Sequence, residues 1–559
     1  MSPRTSIQEA EPLLSSPFSP RPSTDNQASS SNVQQLPLSS SSSPSYSSLE
    51  SQPRKPTRQI EDDTLLENSP TGRVLTPWNA YILIISRVVG SGIFATPGSI
   101  LKTSGSIGLS LSLWILGSVI AWCGVQISLE YGCMLPRSGG DKVYLEFTYR
   151  HPRFFASTLV AAQAVLLGFT ASNCIIFGEY VLFAFGVERT EVGQKSLALG
   201  LLTAITVVHG VFPRAGIRIQ DFLGWVKIGL IVFMAFTGVW VALFRGVGEV
   251  GTLPSPVMSW DGLWKDSNWG WGTLSTAIFK VGYSYAGLQN VNNVLNEVKD
   301  PVGTLKRVVP AALATACILY LLVNCAYFAV VPLDEVKESG QLIAALFFER
   351  VFGQNVGKTI LPLAIAISAA GNVMVVTFTL ARVNQEVARQ GFIPYSALFS
   401  STKPFGAPLG GLVVHYIPSF LVIAIPPRGS VYNFILDVEG YPGQFAALAI
   451  AIGLLRLRYQ RPDLTRPFKA WLPAVYFRIV LCVALIAAPF FPPKDGKSDV
   501  SFWYGTYAVV GIGLILFAIL YWYVAFVLLP KWGGYTVEEE VEVLSDRTSV
   551  TKLVNVKNQ

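Results

Sequence analysis

Ser86-Arg87-Val88-Val89-Gly90-Ser91-Gly92-Ile93-Phe94-Ala95-Thr96-Pro97 is the stretch that decides what kind of molecule this chain makes. It sits in an apolar run beginning at Trp78, yet its middle holds two glycines around a serine. Pro97 follows as in the first turn of a new helix, where its missing N–H costs nothing. Unpaired backbone at membrane depth is tolerated only where it lines a cavity or is buried in protein. The stretch therefore reads as a membrane helix broken near its middle.

The rest of the chain supports a membrane setting. Of 559 residues, 51% are hydrophobic and only 14% are charged, and the mean hydropathy is +0.45. Soluble domains carry roughly a quarter charged residues. Apolar stretches long enough to cross the hydrocarbon recur from Trp78 to Leu529. Twelve spans are expected, near 78–103, 107–133, 154–185, 196–213, 221–244, 273–297, 308–332, 356–389, 408–426, 430–457, 471–491 and 502–529. The predicted organisation is an N-terminal tail (1–73), an all-α integral membrane domain (74–530) and a short C-terminal tail (531–559). The eighth span is long for a bilayer and is expected to continue into water.

Residues 1–73 are rich in Ser, Pro and Gln and cannot bury enough surface to fold. No charged start leads into an apolar core, so the tail is read as cytosolic rather than as a signal peptide. Glu9 to Leu14 and Glu61 to Leu66 fit an acidic-dileucine pattern that trafficking machinery would read, although such short patterns also arise by chance. With the N-terminus inside, Arg137, Lys142, Arg150, Arg214, Arg218, Arg456, Arg458, Arg461 and Arg466 fall in cytosolic loops. The outer loops instead carry acids such as Glu188, Asp334 and Glu338. That asymmetry predicts both termini in the cytosol, with the plasma membrane as the expected location and a vacuolar or endosomal membrane as the alternative.

The six cysteines all lie in apolar stretches, with no CxxC pair, and the three histidines are scattered. They read as packing residues, not as a metal site. The basic residues gather at helix ends rather than in a patch, so no nucleic-acid partner is expected and no cofactor is implied. No span offers the residues of a catalytic dyad, and an enzyme is not expected.

A second interruption lies at Tyr283-Ser284-Tyr285-Ala286-Gly287-Leu288-Gln289-Asn290, polar where lipid-facing residues would be expected. Glycine and serine also pack helices closely in membranes. Two breaks, five spans apart, argue instead for two five-helix inverted repeats with a binding site at the midplane. A helix restarting after Gly92 presents N–H groups and a positive dipole end to a carboxylate. Carbonyls near Val88, Val89 and Tyr283 to Tyr285 suit an ammonium group. Neither break contains Asp, Glu or Lys, so a zwitterion with a neutral side chain is the simplest ligand. Arg87 is left without a role.

Gly90-Ser91-Gly92-Ile93-Phe94-Ala95-Thr96-Pro97 resembles the first-helix signature of the amino acid–polyamine–organocation superfamily, and more narrowly its L-type transporter branch. Leu135-Pro136-Arg137-Ser138-Gly139-Gly140-Asp141, Arg218-Ile219-Gln220-Asp221 and the run from Tyr285 through Asn296-Glu297-Val298-Lys299-Asp300-Pro301 agree with it. Through Ala95-Thr96-Pro97 and Asn292-Asn293-Val294-Leu295-Asn296-Glu297 the chain is similar to fungal high-affinity methionine permeases. The resemblance implies a LeuT-like bundle and a secondary transporter. Its substrate site would be Val88, Val89, Gly90, Ser91, Gly92, Ile93, Tyr283, Ser284, Tyr285 and Ala286, with the amides of Gly90, Ser91 and Gly92 on the carboxylate and Tyr283 as an outer gate. Leu288 stands where many L-type relatives have tryptophan, so side-chain preference does not carry over from them.

The resemblance also implies that Lys227, inside the fifth span, stands where sodium binds in sodium-driven relatives. Its ammonium would replace the ion or exchange a proton, and snorkelling to the surface is the competing reading. Animal members of the branch hold a heavy chain through a cysteine in the third–fourth outer loop; Gly186 to Lys195 has none, so no disulfide-linked partner is expected. Glu130 is expected to pair with the basic second–third loop, and Glu179 to be an outer-end polar residue, with a proton site as the alternative reading. The expected function is transport of neutral L-amino acids, methionine first, proton-linked and sodium-independent. A non-transporting amino-acid sensor and a carrier of another solute such as a polyamine stand as alternatives.

Overall fold

A computed structural model describes residues 73, 75–188, 190–244, 259–402, 404–425, 431–492, 503–543 and 549–557. Both dileucine segments of the N-terminal tail lie outside the described residues. Between Pro77 and Tyr523 the described residues are mainly helical. Its principal elements are α1 (Pro77–Val88), α2 (Gly92–Ser104), α3 (Ile107–Met134), α4 (Asp141–Thr148), α5 (Phe155–Leu166), α6 (Ala171–Ala184), α7 (Glu191–Val211) and α8 (Pro213–Phe244). They continue as α9 (Trp271–Ser284), α10 (Pro301–Val330), α11 (Ile343–Asn355), α12 (Leu361–Gln390), α13 (Leu409–Ala424), α14 (Val431–Gln460), α15 (Leu472–Ile486) and α16 (Thr506–Tyr523).

Among the described residues, eight helices are long and apolar enough to cross a membrane, or nine when α1 and α2 count as one bent span. α13 and α15 are apolar but shorter. Local chemistry starts and stops these elements. Thr76 accepts from Asn79 N–H at 3.3 Å ahead of Pro77, and Asp300 accepts from Gly303 N–H at 3.0 Å ahead of Pro301. Such caps satisfy N–H groups that a helix start leaves without partners. The eighth span, expected at 356–389, is a wide turn at Val356–Ile360 followed by α12, and α11 precedes it. Gly353, at φ +75°, bends the chain just before that turn.

α3, α10 and α12 form the interior, around fully buried Trp114, Tyr320 and Tyr327. α16 is the opposite case: its most apolar stretch is only 6% buried, as expected of a helix facing lipid tails. Small residues let the backbones close up, as membrane packing requires. Gly411 on α13 leaves room for the Ala381 carbonyl of α12, which a Cβ would approach to 1.9 Å.

Glu130, at the end of α3 and fully buried, corrects one expectation. Its partners are not in the second–third loop but at and just beyond the end of α14: Arg458 Nε donates at 2.9 Å, Ala470 N–H donates at 2.7 Å, and Arg466 lies 3.5 Å away. Glu179 accepts from Gln194 Nε2 at 2.7 Å and is buried rather than a surface residue. The C-terminal segment carries an antiparallel hairpin that the helical reading did not foresee. In it β1 (Tyr535–Val543) pairs with β2 (Ser549–Lys557). Leu553 of β2 packs against a cluster of Val387 and Phe392, at the end of α12, and Ala161 of α5.

Candidate functional site

α1 ends where Val89 and Gly90 leave the helical track, and α2 restarts at Gly92 after a bend of 43°. The N–H groups of Ser91, Gly92 and Ile93 have no backbone acceptor among the described residues. They are the first donors of a new helix, where the dipole favours an anion. Ser91 does not cap them with its side chain; its Oγ instead meets Tyr283 Oη at 3.2 Å.

α9 stops at Ser284, and Tyr285 to Gln289 turn before a tight helical segment at Asn290–Glu297. Gly287 sits in this turn at φ +110°, and its missing Cβ leaves space for Arg87 Cγ, which a Cβ would meet at 2.7 Å. The two breaks interlock at Gly92, where a Cβ would lie 2.9 Å from Ser284 Cα. Tyr320 of α10 ties them together, its one O–H shared between the carbonyls of Val88 and Ser284, each 2.9 Å from Oη. Gly90 N–H also donates to Val88 O at 2.8 Å. The Val88 and Ser284 carbonyls, two of the ammonium acceptors the sequence suggested, thus already face the Tyr320 hydroxyl.

A third interruption was not foreseen. The third span breaks between Leu166 and Ala171, and His415 of α13 sits beside the break. Its Nδ1 is 2.8 Å from Gly168 O, and its Nε2 is 3.4 Å and 3.3 Å from the hydroxyls of Thr170 and Thr377. Just past it, Ser172 Oγ meets Tyr283 Oη at 3.0 Å and Asn173 Nδ2 donates to the same oxygen at 3.2 Å. Asn372 of α12 donates to Asn173 Oδ1 at 3.1 Å and comes within 2.8 Å of where a Gly90 Cβ would be. The only sequence signals for these residues were Gly168-Phe169-Thr170 and Gly371-Asn372, polar and small residues inside apolar runs.

The three breaks enclose a cavity of about 550 Å³ lined by Val88, Gly90, Gly92, Ser172, Asn173, Tyr283, Ala286 and Asn372, among others. It joins a second chamber of about 430 Å³, with which it shares Asp141, Gln163, Tyr283, Ala286, Glu439 and Ala446. Ligand pockets span about 300–1,000 Å³. The cavity runs from the α1–α2 break to Asp141 at the start of α4. On the other side it is closed: buried Tyr180 of α6 donates to Phe94 O at 2.9 Å, and Tyr327 of α10 donates to Ile93 O at 3.2 Å.

Of the sequence-derived site residues, Val88, Gly90, Gly92, Tyr283 and Ala286 line the main cavity, and Tyr285 lines its neighbour. Ser91 and Ser284 stand behind them in the hydrogen-bonded layer. Val89 and Ile93 turn into the packed core. Lys227 of α8 does not snorkel. It is fully buried, its Nζ finds no hydrogen-bond partner among the described residues, and it lies in the field of Arg87.

A bundle whose helices break around a cavity of amino-acid size, with helix-start amides at one wall and amide and hydroxyl side chains at the other, is the site of a membrane carrier. Residues 75–526 match the amino acid permease family, and the chain belongs to it. It is similar to the low-affinity methionine permease of Saccharomyces cerevisiae, 33% identical over 87% of this chain and 88% of that one. It is also similar to the high-affinity methionine permease of the same yeast, 35% identical over 81% and 79%. Among solved structures, a manganese transporter mutant from Eremococcus coleocola aligns over 79% of this chain and 94% of its own, at 14% identity and a TM-score of 0.46.

Proposed function

We propose that this chain is a secondary transporter of neutral L-amino acids, methionine first among them, working by alternating access around the α1–α2 break. One observation carries the reading: the three N–H groups at the start of α2 that lack a backbone acceptor adjoin a cavity into which the neutral polar side chains of Ser172, Asn173, Tyr283 and Asn372 also face. The substrate carboxylate takes the amides of Ser91, Gly92 and Ile93. Its ammonium is held from the opposite side by side-chain oxygens and carbonyls of the sixth-span turn, and its side chain lies against Tyr283 and Ala286. The two yeast relatives are methionine permeases, which favours that substrate.

The reading extends to topology: twelve crossings, with α13 and α15 as short spans, arranged as a 5+5 inverted repeat with both termini in the cytosol of a plasma-membrane protein. On that orientation the cavity opens inward, through Asp141. Lys227, buried beside the first span, holds the place of a sodium ion, and transport is proton-linked. No catalytic step, cofactor or disulfide-linked heavy chain enters the cycle, and trafficking machinery is the expected partner of the N-terminal tail.

Thermal melting of the purified protein tests the site. Saturating methionine is expected to raise the melting temperature, by about 2.7 kcal/mol of linked stability at a hundred times Kd, whereas lysine, glutamate and putrescine are not. Gly92→Val should abolish the methionine shift. A shift produced by putrescine alone would replace the amino acid with a polyamine.

A further inference from the structure

Two charged side chains in the cavity have no role in the reading above. Arg87, in the last turn of α1, and Glu439, inside α14, line the same chamber from different helices. Each lies in the other's electrostatic field. Yet no ion pair within 4.0 Å joins them, and neither has a hydrogen-bonded partner among the described residues. A structural ion pair would have closed that distance. Arg87 also feels buried Lys227, a like charge, so Glu439 is the acid that offsets two cations lodged at membrane depth.

Such charges are expensive there and mark ion pathways. Glu439 belongs to both chambers, so the water that reaches Asp141 reaches it as well. When the chamber shuts, that water leaves. An ionised carboxylate stripped of water must then pair with Arg87 or take up a proton. The substrate is a neutral zwitterion, so a proton carried with it needs an acid that is neutral in one state of the cycle and charged in another. Glu439 stands where that exchange can occur, on α14 rather than on the helix start whose amides are assigned to the carboxylate.

We propose that Glu439 is the proton-binding site of this carrier, loading and releasing the co-transported proton through the chamber it shares with Arg87. The proposal rests on the carrier reading of the cavity and names the group that couples it to a proton gradient. The titratable neighbours are Arg87 on α1, Tyr283 on α9 and Tyr285 just after it, Asp141 and Tyr144 on α4, Arg478 on α15 and Tyr432 on α14 itself. Tyr507 of α16 faces Asp437, the other acid of α14. Arg87 is the neighbour whose field acts most directly on the carboxylate. The step balances simply: one proton moves from external water to a Glu439 carboxylate oxygen, and from there to cytosolic water.

The experiment compares full-length wild type with Glu439→Gln and Glu439→Asp in cells lacking their own methionine carriers. Two rates are read: net uptake at acid and at neutral external pH, and methionine counterflow at symmetric pH. Wild-type uptake is expected to be several-fold faster at acid pH. Glu439→Gln should bring that ratio to unity while counterflow persists, and Glu439→Asp should restore it. Acid stimulation retained in Glu439→Gln overturns the proposal, as does a wild-type ratio of unity. Loss of counterflow in both variants despite surface expression would assign Glu439 to the fold instead and also overturns it. Wild type with neither uptake nor counterflow removes the carrier reading itself, and this proposal with it.

Discussion

A single hydroxyl, Tyr320 Oη, holds the first and sixth spans in register, because it reaches the Val88 and Ser284 carbonyls at once. Tyr320→Phe keeps the ring and its contacts with Trp114 and Tyr285 but leaves Ser284 O without that donor. A buried polar group stranded in this way costs about 1–3 kcal/mol. The variant is expected to melt at lower temperature and to bind methionine more weakly, by calorimetry on the detergent-solubilised protein. An unchanged melting temperature together with unchanged affinity would mean that the breaks hold themselves in place. Tyr320 itself was not legible in the sequence: one tyrosine in an apolar helix carries no sign of what it will reach. Gly92 was legible, because glycine beside serine at mid-span has few other uses, and the close approach to Ser284 supplies the reason.

Among the elements, the first and sixth interruptions could be read directly from polarity and glycine, and both fall where the sequence placed them. The third could not. Gly168-Phe169-Thr170 is apolar enough to pass for continuous helix, and His415, which meets its carbonyl, lies 247 residues away in the chain. Glu130 shows the same limit for charges. Its nearest basic residues in sequence lie in the second–third loop, but the fold carries Arg458 and Arg466 to it from the far end of α14. This network clamps α3 to the α14–α15 connection. Removing one partner of a buried ion pair costs about 3–5 kcal/mol. The lower end applies here, because the Arg458 side chain keeps 20% of its surface in water. Glu130→Gln is therefore expected to destabilise the protein by about 3 kcal/mol and to expose the 461–470 connection to protease. Wild-type melting and wild-type digestion of that variant would show that the clamp is dispensable. The C-terminal hairpin was legible in principle: Tyr535, Val537, Glu539 and Val541 share one face of a strand, the period-two signal that a purely helical reading passes over.

At the scale of the molecule, the closed and open ends of the cavity follow from where the aromatic residues sit. Tyr180 and Tyr327 bind backbone carbonyls just past Gly92 and close one end. Toward Asp141 the chambers merge and stay open. Composition alone identified a membrane bundle, and the paired breaks a carrier, because both depend on rules that act within a few residues. The state captured, open at one end, depends on contacts between α2, α6, α10 and α14, which no local pattern encodes. The central claim is that the α1–α2 break moves a neutral amino acid across the bilayer. Uptake of labelled methionine into cells without their own carriers, with unlabelled competitors and with Gly92→Val alongside, tests it most directly. Saturable uptake inhibited by neutral amino acids and abolished in a surface-expressed Gly92→Val variant is the predicted result. Methionine that binds the wild type but never enters the cell would contradict it and make the chain a sensor.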